Sequence, residues 1–226
     1  MRALHHFSLQ PRSRRIRIQL REKKLDFEPL AERPWERRDG LLRLNPSGET
    51  PVLVEENGLV VAGAAAIGEY LEEAYEENPL LGRDAAARAE TRRLIDWFDG
   101  KFERDVTQNL FHEKLLKRLY GLGGPDTGPN SGAIRAGKAN IRIHLDYISW
   151  LVDRRNWLAG AFFSLADIAA AAQLSVIDYL GDVPWEDHAG AKDWYARVKS
   201  RPSFRPILAD TWPGTQPPPH YADLDF

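Results

Sequence analysis

The chain has 226 residues, 43% hydrophobic and 28% charged, an ordinary globular composition with room for one sizeable domain or two small ones. A net charge of −2 argues against a general nucleic-acid binder, and no long apolar run supports secretion or membrane insertion. The absence of cysteine excludes a disulfide framework and cysteine-based catalysis, and fits a cytoplasmic protein.

Hydrophobic periodicity predicts a first strand over 3–7, an amphipathic helix over 13–24 and a second strand over 26–30. A short helix over 35–44 follows, then a strand opened by Pro51, a hairpin partner after Gly58, and a helix over 64–75. This β-α-β-α-β-β-α order over residues 1–78 is similar to a thioredoxin fold. Pro79 and Gly82 mark a linker at 79–83. Residues 84–210 read as helical. Leu94, Trp97, Phe98, Phe102, Val106 and Leu110 share one long helix, and Ile134, Ile141, Leu145, Ile148 and Leu151 another. Gly121–Gly132 between them reads as a flexible connection. Ser164-x-x-Asp167 predicts a capping box with aspartate in the acidic position, a folding feature rather than a catalytic one.

His5 and His6 adjoin on a strand, so they face opposite sides and cannot chelate one metal together. His112, His144, His188 and His220 lack metal-ligand spacing, and no phosphate loop or nucleophile elbow appears. Arg12, Arg14 and Arg15 at the start of the first helix read as a solvated basic cluster, although positive charge there opposes the helix dipole.

The stretch 45–71 is the most informative. It reads Asn45-Pro46, Gly48, Thr50-Pro51-Val52, Gly58, then Gly63-Ala64-Ala65-Ala66-Ile67-Gly68-Glu69-Tyr70-Leu71. This resembles the glutathione-site half of a glutathione transferase, and Ser164-x-x-Asp167 resembles that family's helical-domain signature. The resemblance covers nearly the whole chain. It implies an α+β glutathione transferase fold, with an N-terminal thioredoxin-like domain and a C-terminal all-α domain.

The family's Glu-Ser pair, which grips the γ-glutamyl end of glutathione, falls on Gly63 and Ala64. The helix N-terminus keeps its backbone donors, but both side-chain partners are lost. At about 1.5–3 kcal/mol per charged hydrogen bond, two losses weaken binding by about two to four orders of magnitude. A thiolate-stabilising hydroxyl is also displaced: Gln10 or Pro11 stands where the serine-type family has its serine, with Ser8 and Ser13 the nearest hydroxyls. The resemblance implies a cis Thr50–Pro51 bond presenting the Thr50 backbone; Pro51 serves equally as a loop-shaping residue. The expectation is therefore no catalytic residue and no cofactor.

Beyond residue 210 the chain runs on through Trp212-Pro213-Gly214 and Pro217-Pro218-Pro219 to His220-Tyr221-Ala222-Asp223-Leu224-Asp225-Phe226. The prolines predict a semi-rigid extended tail over 211–226, and the end alternates acidic and apolar side chains as recognition segments do. A frayed or self-packed tail is the alternative. This ending, with Gly63-Ala64, Trp35-Glu36-Arg37-Arg38, the 134–142 run and Ser175-Val176-Ile177-Asp178-Tyr179-Leu180-Gly181, resembles the FtsZ-localised group of transferase-like division proteins of alphaproteobacteria.

That resemblance implies a glutathione-free homodimer at the division site. There it binds FtsZ filaments, favours their curvature and links the division ring to wall synthesis. Contact candidates are Trp35, Arg135, Asp223, Leu224, Asp225 and Phe226; Trp35 could equally be half-buried packing and Arg135 an exposed helix charge. The rival readings are a divergent glutathione transferase acting on small electrophiles through Ser8, Ser13 or backbone donors, with glutathione as its cofactor, and a stress-type adaptor.

Overall fold

The computed structural model describes residues 1–119 and 128–224, and divides into two compact units, Met1–Leu80 and Leu81–Phe226. The predicted connection over 121–132 lies largely outside the described residues.

The first unit is a four-stranded mixed sheet with helices. β1 (Ala3–His6), α1 (Pro11–Glu22) and β2 (Glu28–Ala31) form a parallel crossover. α2 (Asp39–Leu44), β3 (Val52–Val54), β4 (Val60–Ala62) and α3 (Ala64–Ala74) follow. Sheet order is β2-β1-β3-β4, with Leu4 opposite Pro29 in the parallel pair and opposite Leu53 in the antiparallel one. The region expected as one helix over 35–44 is instead a 3₁₀ turn, Pro34–Glu36, followed by α2.

Alternation along the strands puts Leu4 and Leu53 on the face covered by Ile16 and Leu20 of α1 and Ile67 and Leu71 of α3, and all six are buried. One end of the sheet is closed by Arg2. Its guanidinium donates to Glu55 at 3.1 Å, to the Asp26 carbonyl at 2.9 Å and to the Tyr75 hydroxyl at 2.7 Å.

The start of α1 corrects the expected solvated cluster. Arg12 is exposed, but Arg14, Arg15 and Arg17 are buried. Arg14 Nε donates to the Ser8 carbonyl at 2.9 Å, and Arg15 to the Ala64 carbonyl at 3.2 Å. Further along, the buried Lys23 ammonium donates to the Tyr75 carbonyl at 2.8 Å and pairs with Glu72. Buried cations are tolerated where carbonyls and carboxylates replace their water.

The second unit is helical: α4 (Ala85–Asp96), a continuation over Trp97–Leu116, α5 (Lys117–Leu119), α6 (Ser131–Val152), α7 (Leu165–Tyr179), α8 (Ala189–Lys199) and α9 (Arg205–Leu208). The continuation has π-type bonding, and its sequence suggests why. Leu94, Phe98, Phe102, Val106 and Leu110 repeat every fourth residue, and all are buried. In an α-helix each such step overshoots a turn by about 40°, so the stripe would wander around the helix. A wider turn keeps it on one face. Gly137 of α6 lies against this segment, where a Cβ would come 2.8 Å from Leu110.

Asp167 does more than the predicted cap. Ser164 and Asp167 form the reciprocal capping box, and Asp167 also accepts the Leu158 N–H at 2.9 Å and the Trp194 indole N–H at 2.9 Å. Burial pushes its carboxyl upward in pKa, while these donors pull it down.

Two buried histidines make this fold acid-sensitive. Desolvation, helped by Arg17 and His5, lowers His6 to about 3. Desolvation outweighs Asp105 and lowers His144 to about 4, and the His144 Nδ1 accepts the Trp97 indole N–H at 3.1 Å. Below pH 6.5 the unfolded chain protonates these rings while the folded one does not, so stability falls with pH until each folded value is passed. Each ring contributes a loss of up to about 1.4 kcal/mol per pH unit in that window. Urea melts at pH 7 and pH 5 should show the loss, and His144→Gln, which keeps an acceptor for Trp97, should shrink it to the His6 share.

Candidate functional site

The positions expected to form the glutathione pocket lie in the first unit, after β1, in the cis-proline loop and at the start of α3. The Thr50–Pro51 peptide is cis, as the resemblance implies, and the Pro51 carbonyl accepts the Gly63 N–H at 3.0 Å. That bond fixes the entry to α3.

Gln10 organises the opposite wall. It is the N-cap of α1, with Pro11 as the first helical residue, a position where proline forfeits no hydrogen bond. Its side-chain oxygen accepts both the Ser13 hydroxyl at 2.8 Å and the Thr50 hydroxyl at 2.7 Å. Ser13 Oγ also accepts the Phe7 N–H at 3.3 Å. Ser13 and Thr50 are buried, and their hydroxyl protons are directed at Gln10. Ser8 is half-buried; its carbonyl receives Arg14, while its hydroxyl enters no hydrogen bond among the described residues. Of the two hydroxyls expected nearest the thiol position, Ser13 is thus engaged with Gln10 and Ser8 is not.

At the helix start, Gly63 adopts φ 87° and ψ 137°, a conformation L side chains rarely take, and α3 has no side-chain cap. Nothing lies within 4 Å of a Cβ built at Gly63. Space is therefore available for a side chain there, but the backbone disfavours one. A binding residue at this position would be held under strain, and glycine relieves it. Ala64 is buried and its carbonyl accepts Arg15. An amino-acid head brought to this helix end would meet backbone N–H groups without the family's carboxylate and hydroxyl. The two side chains that the resemblance assigns to glutathione's head are replaced here by glycine and alanine.

Trp35 sits on the 3₁₀ turn of the same unit, half-buried, its ring edge-to-face with Phe7 at 5.3 Å. Arg38 pairs with the buried Glu32, which also meets His5 Nδ1 at 2.8 Å. Trp35 is thus both packed and partly displayed, which a sequence reading leaves as alternatives. Arg135 lies exposed in the first turns of α6 and enters no ion pair among the described residues. Asp223 is exposed and Leu224 half-buried, beyond a short turn at Pro219–Tyr221. Asp225 and Phe226 lie outside the described residues.

A cleft of about 600 Å³ opens in the helical unit beside α6 and α8, lined by Trp150, Asp153, Asp193, Trp194 and Arg197 among others. None of the sequence-predicted site residues lines it. No group of three or more metal-binding side chains occurs among the described residues, and no helix of theirs is long and apolar enough to cross a membrane.

Comparison with known proteins agrees with this frame. The glutathione S-transferase N-terminal domain model matches residues 11–74, and the C-terminal domain model matches residues 142–202. The chain is 54% identical to the FtsZ-localized protein A of Caulobacter vibrioides over all of its own length and 98% of that protein. The chain belongs to the glutathione S-transferase family. Among solved structures, it superposes on FzlA from C. crescentus with a TM-score of 0.95 and 54% identity, covering 100% and 99% of the two chains. It superposes equally well on a glutathione S-transferase from Rhodospirillum rubrum F11, with a TM-score of 0.96 and 57% identity over the whole of both chains.

Reinstating the family pair tests the reading of Gly63. The Gly63→Glu, Ala64→Ser variant should lose about 1–3 kcal/mol of stability to backbone strain, read as a lower urea midpoint. An unchanged midpoint would mean that Gly63 is not held in the strained conformation.

Proposed function

We propose that this protein is a glutathione-independent scaffold that binds FtsZ filaments as a homodimer in the cytoplasm and regulates cell division. The observation that carries the proposal is the end-to-end match to FtsZ-localized protein A, covering 100% of this chain and 98% of that protein. A match confined to the two transferase domains would support the fold alone. The relative's origin also favours an alphaproteobacterial source.

The residues suit such a role physically. Tryptophan and arginine anchor interfaces, and charged groups set register and association rate. Trp35 and Arg135 offer these types on the first and second units, and the terminus adds the Asp223 and Asp225 carboxylates. A dimer presents each contact twice, so a filament of repeated subunits is held by avidity although single contacts are weak. Paired attachment of this kind biases a filament towards the geometry at which both sites engage.

One observation favours the enzymatic alternative, a divergent glutathione transferase: the Ser8 hydroxyl, which enters no hydrogen bond among the described residues. Conjugation of a small electrophile that Ser8→Ala abolishes would establish it.

The scaffold reading predicts that the protein sediments with polymerised FtsZ at low salt. Asp225→Lys should weaken sedimentation about tenfold or more while leaving the melting curve in place. No sedimentation at low salt would reject the proposal, and an unaltered Asp225→Lys curve would reject the terminus as a contact.

A further inference from the structure

The terminal segment packs on the helical unit and is not the extended spacer that its prolines predict. The Tyr179 hydroxyl accepts the Trp212 N–H at 3.0 Å and donates to the Thr215 carbonyl at 3.0 Å, and His220 Nε2 lies 3.0 Å from the buried Asp178 carboxylate. Those groups are turned inward. What this unit displays most openly is in the loop joining α6 to α7. Phe162 there is 80% exposed, more than any other large apolar side chain among the described residues.

A lone exposed phenylalanine needs no explanation, but a contiguous aromatic patch with a polar rim does. Phe163, the next residue, meets Trp157 edge-to-face at 5.0 Å, and both are half-buried. The Arg197 guanidinium lies 4.6 Å from the Trp157 ring centre, and that of Arg201 lies 3.9 Å from the ring centre of Phe163. Arg197 donates to the Asn156 carbonyl at 2.8 Å and stays exposed, as does Arg205 at the start of α9. Two acids lie near this rim. Asp153 pairs with Arg154 at 3.2 Å, and Asp193 stands one turn before Arg197 on α8. Three arginines therefore outweigh one carboxylate.

The loop that carries the patch is fixed. Trp157 and Gly160 exchange backbone hydrogen bonds at 2.9 and 3.1 Å. Leu158 is fully buried, donates its N–H to Asp167 at 2.9 Å and accepts Arg155 at 2.8 Å. A closed turn on one side and the Ser164–Asp167 capping box on the other thus hold Phe162 outward.

We propose that this patch adsorbs to the headgroup layer of an anionic phospholipid bilayer. Phe162 dips below the phosphates, Trp157 lies at their level, and Arg197, Arg201 and Arg205 bind them. Guanidinium groups hold phosphate oxygens bidentately. Tryptophan favours the membrane–water interface, and each arginine near an anionic surface strengthens attachment about fivefold. A bilayer offers phosphate and an apolar layer together without needing a matching cavity, which suits one protruding ring with a cationic rim. The net charge of −2 opposes adsorption by the molecule as a whole, so attachment depends on this face. The contact is interfacial and needs no spanning helix. It stands apart from the FtsZ-binding reading, and either can fail without the other.

The test is sedimentation of the full-length protein with vesicles of phosphatidylcholine alone, and of phosphatidylcholine with an equal part of phosphatidylglycerol. At low salt the protein should sediment with the anionic vesicles and not with the neutral ones, and about 0.5 M salt should release it. Phe162→Ser should weaken binding about tenfold and leave the melting curve in place, because so exposed a ring packs on little. Arg205→Gln should weaken it about fivefold, and Arg197→Gln combined with it about 25-fold. No sedimentation with the anionic vesicles overturns the proposal. Equal binding to both vesicle types does so too, as does wild-type binding by Phe162→Ser. If vesicles are ignored and Phe162→Ser weakens sedimentation with FtsZ polymer, the patch is a protein contact and the membrane assignment is overturned.

Discussion

The side-chain oxygen of Gln10 is the constraint on which the pocket turns. It accepts hydrogen bonds from Ser13 and from Thr50 and so joins the start of α1 to the cis-proline loop. A transferase pocket of this fold has to hold those same two segments together while leaving a hydroxyl for the thiol. Here the Ser13 and Thr50 hydroxyls close the frame. Gly63 completes the change on the other wall, taking a backbone conformation that a gripping side chain would have to hold under strain.

The helical unit is fixed by a comparable device of its own. Asp167 gathers the Leu158 and Ser164 N–H groups, the Ser164 hydroxyl and the Trp194 indole on one buried carboxylate. Asp178, one helical stretch further along α7, gathers Trp185 and His220. The first carboxylate secures the start of α7 and its neighbours, and the second secures the tail near its end. The same chemistry, a buried acid that collects donors, thus recurs at both places.

Much of this was legible in the sequence, because apolar periodicity and caps are local. The strand alternation at Leu4 and Leu53 and the capping box at Ser164 follow from nearby residues alone. What was hidden depends on distant partners. Arg14 and Arg15 at the start of α1 read as solvated, yet Arg15 finds the Ala64 carbonyl 49 residues away, and Lys23, just past α1, reaches the Tyr75 carbonyl 52 residues away. Prolines announced an extended tail, since nothing near Tyr221 shows that Tyr179 and Asp178 are waiting for it. The loss of the Glu-Ser pair was visible at once at Gly63 and Ala64. The strain-free conformation that accompanies it was not, because φ is set by the Pro51 carbonyl and the helix entry.

The account stands or falls on whether the protein binds glutathione. Calorimetric titration of reduced glutathione into the wild-type protein measures this directly. No saturable heat up to about 10 mM is the predicted result. A one-to-one isotherm in the micromolar range would contradict it and return the protein to the enzymes of its family.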